Sequence, residues 1–70
     1  MFWQAALDTR KFSFESYGKT ENSARKALLY ALKRHGEQYE LESDWYQDFT
    51  QDIVYRRIVI GQAYRDRSPL

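Results

Sequence analysis

Residues 17–36 constrain the fold of this chain more than any other stretch. They read Tyr17-Gly18-Lys19-Thr20-Glu21-Asn22-Ser23-Ala24 and run on to His35-Gly36. That is the end of a strand, a tight turn, a capped amphipathic helix and a glycine stop. Gly18 suits the turn because a residue without a Cβ tolerates φ > 0. Thr20 carries a hydroxyl that can accept from an early helical N–H, which makes it the N-cap. Glu21 follows in the first turn, where negative charge suits the positive end of the helix dipole. Ala24, Ala27, Leu28, Ala31, Leu32 and His35 then recur at helical spacing as one stripe. Its three alanines let the helix sit close to a sheet. Lys33, Arg34 and His35 complement the negative end, and Gly36 is the expected C′ residue. The spacing predicts a helix over 21–35.

The flanks read as strands. Residues 2–7 place Trp3, Ala5 and Leu7 on one face and Phe2, Gln4 and Ala6 on the other. Asp8-Thr9-Arg10-Lys11 is a polar turn of hairpin length. Residues 11–17 alternate with period two, the mark of a half-buried antiparallel strand. Phe12, Phe14 and Ser16 share one face, and Lys11, Ser13, Glu15 and Tyr17 the other. Residues 37–52 are long for a structureless loop. Ser43 to Phe49 can form one or two helical turns, with Ser43 as cap and Trp45 and Phe49 paired at i, i+4. Both rings are expected to anchor the segment against the core. Residues 52–64 form the third strand, carried by Ile53, Val54, Tyr55, Ile58, Val59 and Ile60. Arg56-Arg57 interrupts the apolar pattern and predicts a twist or bulge, and Gly61 another bulge or the strand's end.

The order β-β-α-short α-β predicts an α+β fold. A small three-stranded, mostly antiparallel sheet has one main helix packed on one face. Whether the last strand pairs with the first or the second is not legible. One domain over 1–66 is expected, with 67–70 as a frayed tail.

A 70-residue chain buries only about 60–65% of its unfolded surface, so each large side chain counts. Twelve aromatics meet that need. The absence of cysteine excludes disulfide or thiolate–metal stapling and suits a reducing cytoplasm. No apolar run approaches the ~20 residues that span a bilayer. The N-terminus lacks the basic and long apolar regions of a signal peptide. Met1 leads us to expect a complete small gene product.

Net charge is +1, but the charges are segregated. Residues 1–36 carry seven basic and three acidic groups. Residues 37–52 carry six acids (Glu37, Glu40, Glu42, Asp44, Asp48 and Asp52) and no base. Residues 53–70 carry four arginines and one acid. Such a layout either forms a binding surface or lets the acidic segment fold back and neutralise the basic ones.

No constellation for catalysis emerges. His35 is the only histidine; with no second His or Cys beside it, a structural or capping role is expected. The acids of 37–52 sit in no apolar run, so a solvated face is expected of them rather than acid–base work. The hydroxyls have no base partner except His35, so a nucleophilic triad is unsupported. Gly18-Lys19-Thr20 matches the last three residues of a phosphate loop, but the earlier glycine is replaced by Ser13. The reading is non-enzymatic, with no cofactor and no small-molecule substrate.

Binding is better supported. The candidate surface is Lys19, Arg25, Lys26, Lys33, Arg34, Tyr55, Arg56 and Arg57. Its cations can neutralise phosphates, and tyrosines interleaved with them can stack on unpaired bases. Against this, a pI near 8 is low for a dedicated nucleic-acid domain. The other class is protein recognition. A sheet covered on one face leaves the second exposed, with Phe2, Trp3, Tyr17 and Tyr55 as candidates to populate it and residues 37–52 as its alternative cover. An uncovered patch there implies a partner or a homodimer.

Two resemblances add to this reading. Gly18 to Ala24, followed by Ala27-Leu28 and Ala31-Leu32, resembles the last strand–helix junction of double-stranded RNA-binding domains over about 15 residues. Those domains place a basic cluster just after the cap; here Glu21 and Asn22 stand there, and only Lys19, Arg25 and Lys26 are basic. The overall layout, with Tyr17-Gly18-Lys19-Thr20 opening the helix and Gly61 to Arg67 near the end, resembles small uncharacterised proteins of actinobacteria and their phages. That resemblance implies a phage- or mobile-element-encoded accessory protein that acts by binding. The reading is therefore a cytoplasmic, non-enzymatic protein-binding module, a homodimer being one form of it. The alternative is a nucleic-acid-binding domain using the basic helix face and turns.

Overall fold

A computed structural model of the chain describes residues 1–65 and 68–69. Strand β1 (Phe2–Asp8) and strand β2 (Ser13–Gly18) form an antiparallel hairpin, followed by helix α1 (Glu21–Gln38). A 3₁₀ helix (Gln47–Asp52) leads into strand β3 (Val54–Ile58). The sheet order is β2-β1-β3, antiparallel throughout. The small α+β architecture expected from the sequence is thus present, and the last strand of the sheet joins β1.

Helix α1 starts as its sequence dictates. Thr20 Oγ1 accepts from Ser23 N at 3.0 Å, and Thr20 N donates to Ser23 Oγ at 3.1 Å, closing a capping box. Gly18 serves a different end from the one expected. Its φ is not positive; a Cβ on it would lie 2.6 Å from the Ala24 backbone nitrogen. Close approach of strand to helix, rather than turn conformation, requires glycine there. Ser16 seals the same junction by donating from Oγ to the Ala24 carbonyl.

The core is a row of small and medium side chains. Ala24, Leu28 and Leu32 of α1 pack on Ala5 and Leu7 of β1 and on Ile53. The helix lies over β2 and β1 and hardly touches β3. Trp45 and Tyr46 of the connection pack against the same core, as do Trp3 and Tyr55. The buried row Ala24, Leu28, Leu32, Gly36 is rotated from the expected stripe, and Ala27 faces solvent.

The helix runs past Gly36 to Gln38, so Gly36 is not its stop. Glu40 takes the left-handed conformation instead, at φ 56°. Leu41 N donates to the Gly36 carbonyl at 2.8 Å and Glu40 N to the Glu37 carbonyl at 3.4 Å, the pattern of a Schellman close. Gly36 is needed because the Trp45 indole lies on it: a Cβ would meet Nε1 at 2.5 Å and Cδ1 at 2.6 Å.

Other expectations are corrected. Strand β2 begins at Ser13, and Phe12 belongs to the hairpin turn. Thr9 N donates to the Phe12 carbonyl at 2.8 Å, and Phe12 N to Thr9 Oγ1 at 3.0 Å. The short helix is 3₁₀, spans 47–52 and starts at Tyr46 without a side-chain cap, so Ser43 caps nothing. Strand β3 ends at Ile58, and no bulge interrupts the pairing at Arg56-Arg57. Beyond it Gln62 N donates to the Val59 carbonyl at 3.2 Å, and Gly61 adopts φ 94°, turning the chain away. Tyr64–Arg65 pairs with Ser68–Pro69 as a separate two-stranded ribbon, strands β4 and β5. Of the tail expected to fray, Arg67 and Leu70 lie outside the described residues.

The outer sheet face is more polar than expected. Trp3 and Tyr55 lie on the helix side, leaving Phe2, Tyr17, Val54 and Ile58 on the outer face around Gln4. Gln4 is buried, and its amide donates to Glu15 Oε2 at 3.1 Å and Tyr17 Oη at 3.2 Å.

Candidate functional site

The last turns of α1 carry His35 into a nest of rings. Phe12 comes from the hairpin turn, Phe14 from β2, Tyr39 from the helix end and Trp45 from the connection. Their centroids lie 4.6, 5.1, 4.7 and 5.3 Å from the imidazole. Phe49 extends the cluster, 6.1 Å from Trp45. Most of the pairs are tilted or edge-on, the arrangements ring quadrupoles favour. Trp45 is the fixed member: Nε1 donates to the Leu32 carbonyl at 3.0 Å and its ring covers Gly36.

Over this cluster runs an open groove of about 680 Å³. The hairpin turn, with Thr9, Arg10, Lys11 and Phe12, forms one wall. His35, Tyr39, Leu41, Trp45 and Phe49 form the floor and the other wall. Four of its apolar side chains remain well exposed: Phe12 at 41%, Tyr39 at 53%, Leu41 at 44% and Phe49 at 38%. In a small domain short of core, rings left at the surface together are the feature to explain. A second concavity, of about 580 Å³, lies past His35 against Phe14, Arg34 and Glu37 and is more polar.

The eight residues singled out from the sequence do not form one surface. Lys19 is exposed in the turn before α1. Arg25 and Arg34 are nine positions apart, which at about 100° per residue sets them on opposite flanks of the helix. Lys26 and Lys33 face solvent between them. Arg34 is engaged locally, with Nη1 donating to Tyr30 Oη at 3.4 Å and Cζ 6.0 Å from that ring's centre. Arg56 is opposite Gln4 on the outer sheet face, while Tyr55 and Arg57 are on the inner one. Tyr55 packs on the core, and Arg57 Nη1 lies 3.8 Å from Met1 Sδ.

The groove residues Phe12, Tyr39 and Leu41 were missed, although part of the signal was present. His35 and Tyr39 share a helical i, i+4 spacing that a helix ending at Gly36 concealed. Alternation places Phe12 in the strand with Phe14, whereas the Thr9 hydrogen bonds hold it in the turn.

Chemically the site offers contact and charge. Arg10 and Lys11 are exposed and form no ion pair among the described residues. Among the described residues none of the six carboxylates of residues 37–52 forms a salt bridge. Nor do three metal-ligating side chains cluster there. Thr20 spends its hydroxyl on the capping box, which leaves the Gly18-Lys19-Thr20 turn a helix cap. Among the described residues no helix is long and apolar enough to cross a membrane. No family model matches the chain, and comparison with curated proteins and with solved structures gives no significant match.

Proposed function

We propose that this chain is a non-enzymatic protein-binding module and that the aromatic groove is its docking site. The observation that carries the reading is the exposure of Phe12, Tyr39, Leu41 and Phe49 side by side on a floor fixed by Trp45. Burying half-exposed rings supplies most of what a small interface needs, and aromatic anchors in a pocket are the usual hot spots. Catalysis is not part of the proposal, since His35 is packed among rings and hydrogen-bonds no nucleophile among the described residues. Nucleic acid is the weaker occupant. Cations are dispersed over the helix flanks and both sheet faces, and only Arg10 and Lys11 among the described residues line the groove. With the cations so dispersed, no continuous track for a phosphate backbone runs along the rings.

The test is selection from a displayed library of random 12-residue peptides, with a Phe12→Ser/Phe49→Ser double variant as the counter-target. Enrichment on the native chain but not on the variant supports the module. Equal recovery on both, alongside salt-sensitive binding of labelled single-stranded DNA or duplex RNA, would transfer the site to nucleic acid.

A further inference from the structure

The groove's charges say what kind of peptide it takes. Among the described residues the formally charged side chains lining it are Arg10 and Lys11, both on the hairpin wall. Neither has an intramolecular carboxylate partner among the described residues. The opposite wall, from Tyr39, Leu41, Trp45 and Phe49, contributes no charge, so the groove is positive on the hairpin side and apolar on the other. A ligand laid across it meets rings in the middle and two unpaired cations at the hairpin.

Size narrows the occupant further. An aromatic side chain presents about 150–250 Å² when fully exposed, so four residues exposed by two-fifths to a half offer roughly 350 Å². A stable dimer covers about 800 Å² on each partner. The apolar patch is too small to hold a second copy of the chain by itself, and it suits a few residues of extended peptide.

We infer that the groove binds a short peptide segment in which a bulky apolar side chain stands next to acidic residues, the carboxylates lying against Arg10 and Lys11. This rests on the protein-binding reading and adds the partner's chemistry to it. The apolar residue enters between Phe12, Tyr39 and Phe49, where it displaces water from all three rings. The carboxylates make exposed ion pairs at the rim, which set orientation and specificity more than affinity. Basic peptides are rejected on the hairpin side by the same two cations.

The experiment continues from the 12-residue peptide selection. Peptides enriched in a groove-dependent way should carry Asp or Glu beside Leu, Phe, Trp or Ile. The strongest one, made synthetically with a fluorophore, should lose about tenfold in affinity when its acids become amides, the worth of two exposed ion pairs. An Arg10→Glu/Lys11→Glu variant, with its fold checked by circular dichroism, should lose the acidic peptide and gain a lysine-substituted version of it. Groove-dependent peptides that are neutral or basic, or an affinity indifferent to the charge reversal, would overturn the acidic partner and leave the protein-binding module standing. Absence of any groove-dependent enrichment would overturn both.

Discussion

Beneath the first two-thirds of α1, apolar side chains are small and wholly enclosed: Ala24, Leu28 and Leu32 against Ala5 and Leu7. At the end of the same helix they are large and half open: His35 and Tyr39 against Phe12, Trp45 and Phe49. Small residues draw the helix onto β1 and β2 until no room is left. Rings too bulky for that spacing hold the hairpin turn and the connection apart and leave a groove between them. The first region uses burial for stability. The second leaves apolar area in water, which a marginal domain tolerates only where enough burial exists elsewhere. Mutations should therefore separate the two regions.

The largest effect belongs to the enclosed side. Leu32→Ala removes a fully buried side chain and should cost ~2–5 kcal/mol, the range for core leucines. A chain this size has only ~4–10 kcal/mol in total, by the usual per-residue stability. Urea unfolding followed by circular dichroism should show a midpoint collapsed toward zero denaturant, and Leu28→Ala should behave alike. A loss below 1 kcal/mol would mean that the ring cluster, not the alanine–leucine row, holds the fold.

Gly36 joins the two regions. Gly36→Ala gains ~1 kcal/mol in helix propensity. It also drives a methyl group into the Trp45 indole, where overpacking costs ~1–3 kcal/mol and the Nε1–Leu32 bond contributes about 1 more. The net expectation is a loss of ~1–3 kcal/mol, with a red shift of tryptophan emission as the indole leaves the helix. A stabilised Gly36→Ala would show that the indole yields freely and that the groove floor is not fixed.

Thr20→Ala acts far from both regions and should cost about 1 kcal/mol, as lost caps do. Its thermal midpoint should fall by ~4–8 °C for a domain of this size. Peptide binding by the groove should not change. A binding defect would mean that the helix start and the groove are mechanically linked.

Legibility followed the same division. The strand faces, the Thr20 cap and the Leu28/Leu32 core were readable because local periodicity and tertiary packing agree there. Glycines were read less well. Gly18 and Gly36 both carry strong local signals, a turn and a helix stop, yet each is present because a neighbour presses on its Cα hydrogens. Close approach leaves no periodic trace in a single sequence. Val59 and Ile60 have the propensity for a strand, but the β1–β3 ladder closes before them, at Phe2 and Ile58. The groove escaped because its residues come from a turn, a helix end and a loop, three places where alternation and the 3.6-residue period both stop.

The smallest stability effect should accompany the largest binding effect. Phe12 is 41% exposed, and its ring touches His35 and Tyr39 rather than the enclosed row. Phe12→Ser should therefore cost under about 1 kcal/mol, closer to a surface change than to a core truncation. The same substitution removes a central anchor of the groove, where losing a ring costs ~2 kcal/mol or more of binding, roughly thirtyfold in affinity. Measuring unfolding and peptide affinity on one protein sample gives both quantities. If Phe12→Ser unfolds the chain as Leu32→Ala does, the ring cluster is core and the division into two regions fails. If it leaves folding and binding both untouched, the exposed rings need another explanation. Only a folded variant that no longer binds fits a helix with one end committed to stability and the other to a partner.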